Sequence, residues 1–352
     1  MTPLIQARCE TVRPEAGNVK VFTLRVQGGH FDFLQSLQAG KHVALSYPDT
    51  GGIVQQRLYS ITRKPDDDLF EIAVKGSGRN SVSDHLHATL REGMTVPLQY
   101  VAGDISVDSI LGYQRIAMIA GGIGITLPIA LLRELAHRAN KGQAVPYVQL
   151  LLSIPHVSDI PFLHELLALD LSASWFSLSV FVTRDNIRSS AQFKVGRPSS
   201  ETLQHLQDPE AVVICGSYSF AQALREYTVQ AHPVSRMLIE AFSPPAAPAV
   251  DIEPVPGSAP LQIHVPASGL TLSPEPGSSL LEMLEAGQVP IRSQCRAGIC
   301  GACRVSIANS DGDCRFEPDF CLSDQDKAQG HALACCTFPL SGTLNVDIGT
   351  TS

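Results

Sequence analysis

A chain of 352 residues is too long for one ordinary core, and with 44% apolar residues it has material for two or three. A net charge of −8 gives no support to recognition of a nucleic-acid backbone, and no apolar run is long enough to cross a bilayer. Met1 to Glu10 lacks a basic stretch followed by an apolar core, so a cytoplasmic protein without a secretory signal is expected.

The charge is uneven. Residues 1–108 sum to −1 and residues 109–243 balance, whereas residues 260–352 hold ten acidic against five basic side chains. Such a segment either steers a basic protein partner or is simply a solvated surface. Nine cysteines, an odd number, argue against a complete disulfide framework, and seven of them fall between Cys295 and Cys336. That distribution suits a metal site better than scattered core thiols.

In chain order, residues 1–108 carry the short runs Val19–Val26, His42–Tyr47, Arg57–Thr62, Leu69–Lys75 and Thr95–Tyr100, divided by Gly, Pro and Asp turns. This predicts an antiparallel β-barrel. Within it Val82, Leu86 and Leu90 repeat at helical spacing behind a capping Ser81, which predicts a helix over Val82–Leu90. His85 and His87 on that helix read as surface or packing residues. Asp66, Asp67 and Asp68 read as a turn, because adjacent carboxylates do not easily converge on one ion.

Residues 109–243 alternate strand-like runs (Arg115–Ala120, Tyr147–Leu152, Leu178–Thr183, Ala211–Cys215, Met237–Phe242) with helical patterns, which predicts a doubly wound parallel sheet. The first strand runs into Gly121-Gly122-Ile123-Gly124-Ile125-Thr126, and a helix is expected to open at about Pro128. This turn lacks the Gly-Lys-Ser/Thr ending of a nucleoside-triphosphate loop. Residues 244–259 are rich in Pro and Ala and read as a semi-rigid linker to a last domain over residues 260–352.

The strongest motif lies in that last domain. Cys295, Cys300 and Cys303 stand as C-x4-C-x2-C with Cys335 following at a distance, the spacing of a plant-type [2Fe-2S] site. Two sulfide-bridged irons need four thiolates, and Gly298 and Gly301 allow the loop to fold closely around them. Its amides can then donate to the sulfurs, one of the levers on potential. A structural zinc site would bring two C-x2-4-C pairs, and only one is present. Cys314, Cys321 and Cys336 are surplus, and Cys9 reads as a small apolar residue.

Two features of the first domain suit a flavin. Arg57-Leu58-Tyr59-Ser60 combines a guanidinium fork for phosphate with an aromatic face and a hydroxyl. Gly76 to Ser83 places glycines and hydroxyls before the predicted helix, whose N-terminus favours an anion; the alternative is an ordinary capped helix.

On these motifs the chain resembles the ferredoxin-NAD(P)H reductase superfamily fused to a C-terminal plant-type ferredoxin domain. Over essentially its whole length it is similar to reductase components of Rieske-type oxygenases, of the phthalate dioxygenase and vanillate demethylase kinds, and to hybrid-cluster-protein reductase. The resemblance implies a flavin-binding β-barrel at 1–108, an NAD(P)H-binding α/β domain at 109–243 and a β-grasp ferredoxin domain at 260–352.

It also implies roles. Arg57, Leu58, Tyr59 and Ser60 would hold the flavin with Lys75, Arg79, Ser81, Val82 and Ser83, while Gly121, Gly122, Gly124 and Thr126 would take the dinucleotide. Cys215-Gly216 and Glu240-Ala-Phe242 resemble the C-G-P and E-x-F segments that close on nicotinamide and flavin. Leu333-Ala334-Cys335 with Pro339 fits the final-ligand context, so Cys335 rather than Cys336 is the expected fourth ligand. Three departures stand out: Leu127 precedes Pro128, Ser217 replaces a proline, and Gly312–Cys321 is an extra acidic, Cys-containing stretch.

The implied cofactors are a [2Fe-2S] cluster, FAD rather than FMN, and NADH rather than NADPH. FAD is favoured because Val82–His87 and Ala102–Ile105 look like FAD-binding relatives. NADH is favoured because Ser153–Asp159 offers no arginine for a 2′-phosphate. The implied activity is an NAD(P)H-dependent oxidoreductase that passes electrons to a metalloprotein partner, an oxygenase component, with no catalytic side chain assigned. The alternatives are the reductase of a hybrid-cluster-type protein and a redox sensor without significant turnover. Oligomeric state is open.

Overall fold

The computed structural model describes residues 5–78, 80–242, 259–293, 296, 298, 301–308 and 311–348. Arg79, Cys295 and Cys300, three expected site residues, lie outside the described residues, as do 244–258 of the expected linker.

The first six strands are β1 (Ile5–Glu15), β2 (Val19–Val26), β3 (His42–Pro48), β4 (Val54–Asp66), β5 (Leu69–Lys75) and β6 (Thr95–Ala102). They close an antiparallel barrel in the order β1-β2-β5-β4-β3-β6. Its core holds Phe22, Leu24, Leu45, Ile61, Phe70, Ile72 and Leu98, each buried side chain contributing about 1.5–3 kcal/mol. Two helices decorate it, α1 (Phe31–Ser36), which was not expected, and α2 (Val82–Thr89). Ser81 caps α2 as expected, and Asp84 returns the bond in a capping box.

The next domain contains β7 (Arg115–Gly121), α3 (Thr126–Asn140), β8 (Tyr147–Ile154), α4 (Leu163–Ser172), β9 (Phe176–Val182) and β10 (Phe193–Val195). It continues with α5 (Ser200–Gln204), β11 (Ala211–Gly216), α6 (Tyr218–Ala231) and β12 (Arg236–Ala241). The sheet order is β10-β9-β8-β7-β11-β12, with parallel ladders from β10 to β11. Helix α3 opens at Thr126, earlier than expected, because a short 3-10 turn over Gly122–Ile125 runs straight into it. Pro128 therefore sits in the first turn, where its missing N–H breaks no helical bond.

The C-terminal elements are β13 (Gln262–Val265), β14 (Leu270–Leu272), α7 (Leu280–Ala286), β15 (Arg304–Ala308), β16 (Asp313–Phe316), α8 (Asp324–Ala328), β17 (His331–Leu333), β18 (Thr337–Ser341) and β19 (Thr343–Asp347). A five-stranded sheet, β14-β13-β19-β15-β17, takes α7 against it through Leu280, Leu281, Met283 and Leu284. The extra stretch seen in the sequence forms β16, which pairs with β18 as a separate ribbon.

By contacts the chain divides into two compact units, Met1–Gly216 with Ala223–Glu240, and Ser217–Gln222 with Ala241–Ser352. Barrel and parallel sheet fall together in the first of these units. The reason is physical: Val19, Val21 and Ala73 of the barrel join the core of the sheet, and Arg133 of α3 donates to the Thr62 carbonyl at 3.1 Å.

Candidate functional site

The expected flavin strand is the middle of β4. Tyr59 is buried with its hydroxyl 3.0 Å from Ser83 Oγ on α2, and burial pushes its phenol up to about 12. Next to it, Ser60 Oγ donates to Glu240 Oε1 of β12 at 3.1 Å and accepts from Thr126 Oγ1 of α3 at 3.4 Å. Side chains 66 and 180 positions away thus meet at one hydroxyl.

Cys215 closes this group from β11. Burial pushes its thiol well above the ordinary range, and the neighbouring Glu240 charge adds to the effect. The glycine turn lies directly on the end of that strand. A Cβ at Gly124 would stand 2.6 Å from the Cys215 carbonyl carbon and 2.9 Å from the Gly216 nitrogen, so only glycine fits. A cradle this tight against a strand end is what a dinucleotide backbone needs for close approach.

The start of α2 departs from the expectation of free amides. The backbone N–H groups of Ser77, Gly78 and Ser81 donate to the Asp84 carboxylate at 2.6, 2.8 and 2.9 Å. Burial works against ionised Asp84, but the bonds from Ser81, Ser77 and Gly78 hold its carboxyl far below the usual range. The helix's own carboxylate therefore gathers three amides of the segment that leads into it. Arg57, the expected phosphate partner, has Nη1 donating to the Gln56 carbonyl at 2.8 Å and Nη2 to Gln55 Oε1 at 2.5 Å. Val82 belongs to the barrel core, Leu58 and Lys75 are half-buried, and Phe242 follows β12 with 37% exposure.

Sequence reasoning missed His42, the first residue of β3, which lies opposite Ser60 in the ladder. Its Nδ1 is 3.8 Å from Glu240 Oε1, and neither ring nitrogen has a hydrogen-bond partner among the described residues. Burial lowers the imidazole to about 4, with the Asp104 charge opposing. A single histidine opening a strand carries no motif that would have found it.

At the C-terminal edge of the parallel sheet, His156 and Asp185 follow β8 and β9. His156 Nδ1 and Asp185 Oδ1 are 2.6 Å apart, and Val157 N–H donates to Oδ2 at 2.7 Å. Hydrogen bonds from His156 and Val157 hold the Asp185 carboxyl below its usual range. This edge is where open α/β sheets bind their dinucleotides. By contrast, a cavity of about 860 Å³ lined by Lys64, Asp108, Arg133, His137 and Glu165 includes none of the motif residues.

In the C-terminal unit Cys303 and Cys335 are buried, and Ala334 N–H donates to the Cys303 carbonyl at 3.0 Å, which draws the two cysteine segments together. Gly298 and Gly301 adopt φ of +72° and +71°, the backbone conformation their position in the loop requires. Cys336 Sγ lies 3.8 Å from Cys335 Sγ and would stand 2.7 Å from a Cβ at Gly298, so a surplus thiol borders the loop. No group of three metal-ligating side chains occurs among the described residues, which leave out two of the four expected cysteines.

Residues 263–340 match the 2Fe-2S iron-sulfur cluster binding domain family, and residues 113–202 match the ferric reductase NAD binding domain family. The chain joins a reductase-type NAD-binding domain to a 2Fe-2S domain. It is an oxidoreductase. It is 25% identical to the glycine betaine monooxygenase reductase subunit of Pseudomonas aeruginosa, over 97% of this chain and 94% of the relative. It is 27% identical to the vanillate O-demethylase oxidoreductase of a Pseudomonas strain, over 92% and 93%. Its fold is that of phthalate dioxygenase reductase, with a TM-score of 0.61 at 19% identity over 98% of each chain.

Proposed function

We propose that this oxidoreductase passes electrons from NADH through FAD to a [2Fe-2S] cluster, and from the cluster to the oxygenase component of a multicomponent demethylase or hydroxylase. The carrying observation is the meeting of Ser60 with Thr126 and Glu240, since it brings the flavin strand of the barrel against the nicotinamide turn. When bound, the flavin supplies the conversion of a two-electron hydride into single electrons. Tyr59 offers it an aromatic face, Ser60 a hydroxyl at its edge and Arg57 a cation for its phosphate.

Gly121, Gly122, Gly124 and Thr126 receive the dinucleotide, with Cys215 and Glu240 beside the nicotinamide. Asp185 supports NADH, because a carboxylate on this edge repels a 2′-phosphate. Cys295, Cys300, Cys303 and Cys335 hold the cluster. The relatives named above, a monooxygenase reductase subunit and an O-demethylase oxidoreductase, support an oxygenase as acceptor. No helix among the described residues is long and apolar enough to cross a membrane, and an odd count of nine cysteines, which argues against a complete disulfide framework, suits a reducing cytoplasm.

Anaerobically purified protein should contain iron, acid-labile sulfide and a flavin that is released on denaturation as FAD. NADH should bleach both chromophores and drive cytochrome c reduction. Turnover with NADH that stays at the level of free flavin would point instead to a sensor and end the reading; turnover restored in a reconstituted oxygenase system identifies the acceptor.

A further inference from the structure

We propose that Gln55 is a positioning residue whose side-chain amide, turned one way by Asp49, sets the guanidinium of Arg57 for the flavin phosphate; the proposal rests on the flavin reading above and adds the pair that aims its cation.

Side chains alternate along a strand, so Gln55, Arg57 and Tyr59 of β4 share a face. Tyr59 meets Ser83 of α2 on that face. The hairpin that precedes β4 closes against the same region. The Asp49 carbonyl accepts from His85 Nδ1 of α2 at 2.7 Å, and Thr50 Oγ1 donates to the Asn80 carbonyl at 3.0 Å. The hairpin thus joins β4 to the segment ahead of α2, the two places where a flavin phosphate is expected.

Within this hairpin the Asp49 carboxylate is the fixed end. Its Oδ1 accepts the backbone N–H of Gly51 at 2.9 Å and of Ile53 at 3.0 Å, and its Oδ2 accepts from Gln55 Nε2 at 2.8 Å. On the other side of the amide, Gln55 Oε1 accepts from Arg57 Nη2 at 2.5 Å, while Arg57 Nη1 donates to the Gln56 carbonyl at 2.8 Å.

Chemistry leaves this amide one orientation. A carboxylate only accepts and a guanidinium only donates, so the NH₂ group must face Asp49 and the oxygen must face Arg57. A glutamate has no proton to give Asp49 at neutral pH, and a lysine has no acceptor for Arg57. The amide also transmits direction without charge. A carboxylate set directly on Arg57 would compensate the cation that a phosphate needs, whereas the bonds to Gln55 and Gln56 hold Nη1 and Nη2 through neutral oxygens. They fix the plane of the fork, which matters because a guanidinium meets phosphate oxygens in that plane, and they cancel none of its charge.

The test uses the full chain freed of flavin and titrated by calorimetry with FAD and with riboflavin, which has the same ring system and no phosphate. Gln55→Leu should weaken FAD binding by about tenfold or more, the loss expected of one hydrogen bond to a charged group, and leave riboflavin binding unchanged. Equal weakening of both flavins marks a merely structural role and overturns the proposal, as does unchanged FAD affinity. In an Arg57→Leu background the same substitution should cost FAD nothing further, and a second full loss there also overturns it.

If Gln55→Leu does not fold, Asp49→Asn decides. Its oxygen stays with the amides of Gly51 and Ile53, so its NH₂ faces Gln55, turns that amide over and sets donor against donor at Arg57. FAD should again weaken selectively; an unselective loss, or none, overturns the proposal. The flavin reading is judged separately by Arg57→Leu. If that variant keeps the wild-type preference for FAD over riboflavin, Arg57 does not meet the phosphate, and the reading falls together with the proposal. If it loses the preference while Gln55→Leu keeps it, the proposal alone is overturned.

Discussion

Arg133 of α3 grips Glu165 of α4 through two parallel hydrogen bonds, Nε to Oε1 at 2.8 Å and Nη2 to Oε2 at 2.7 Å. The same guanidinium reaches the barrel, donating to the Thr62 carbonyl at 3.1 Å, and lies 5.1 Å above the Phe162 ring centre. One side chain therefore ties α3 to β4, the strand that carries Ser60.

Arg133→Met should destabilise the N-terminal unit by about 1–3 kcal/mol, less than a fully buried pair because Glu165 is partly exposed. Burial tends to raise the Glu165 carboxyl, but the hydrogen bonds and charge of Arg133 outweigh it and hold the folded group below its ordinary 4.5. The contribution is therefore present above pH 4.5 and lost as pH falls through the depressed folded value. Thermal unfolding should show this acid loss in the wild type and lack it in Glu165→Gln.

The surplus thiol separates ligand from neighbour. Cys303→Ser and Cys335→Ser should lose the iron and the visible bands of the cluster, whereas Cys336→Ala should keep both. Gly298→Ala should behave like a ligand loss, because the left-handed backbone and the Cys336 sulfur both oppose a Cβ there. Iron and sulfide assays on the purified variants check each outcome.

Much of this architecture was legible because its signals are local. The run Val19–Val26, the run Leu69–Lys75 and the cap at Ser81 depend on alternation and on one hydroxyl, and each falls where expected. Strand β10 and helix α1 are too short to carry a period and were missed. The segment around Cys314 pairs as β16 because of its partner β18, which no reading of the stretch alone reveals. The site divides in the same way. Gly124 was legible from its motif, but His42 and the Arg133–Glu165 pair acquire meaning only when distant strands and helices meet. Asp84 adds a feature the motif did not show, a carboxylate that gathers the amides of Ser77, Gly78 and Ser81 ahead of the helix.

Asp185 should set the preference for NADH. Its carboxylate is fixed by His156 and by the Val157 N–H, so it presents a steady negative charge at the C-terminal edge of the parallel sheet. Asp185→Ser removes that charge, and the ratio of kcat/KM for NADH over NADPH should fall by about five- to tenfold. Steady-state ferricyanide reduction with each nucleotide measures it; an unchanged ratio would place the selecting group elsewhere.

Gly124→Ala should uncouple the nucleotide from an otherwise intact redox chain. A methyl group there meets the Cys215 carbonyl and the Gly216 nitrogen, both backbone atoms at the end of β11, where Cys215 pairs with Ala120 of β7. Neither can move away, so the turn itself must lift, and with it Thr126 and its contact to Ser60. None of the residues expected to hold flavin or cluster belongs to that turn. The variant should therefore retain both chromophores and accept electrons from dithionite at the wild-type extent, while its bleaching by NADH slows by about a hundredfold, the order of loss expected from a misplacement of roughly 1 Å. Equal NADH bleaching in variant and wild type would show that the dinucleotide does not rest on this turn.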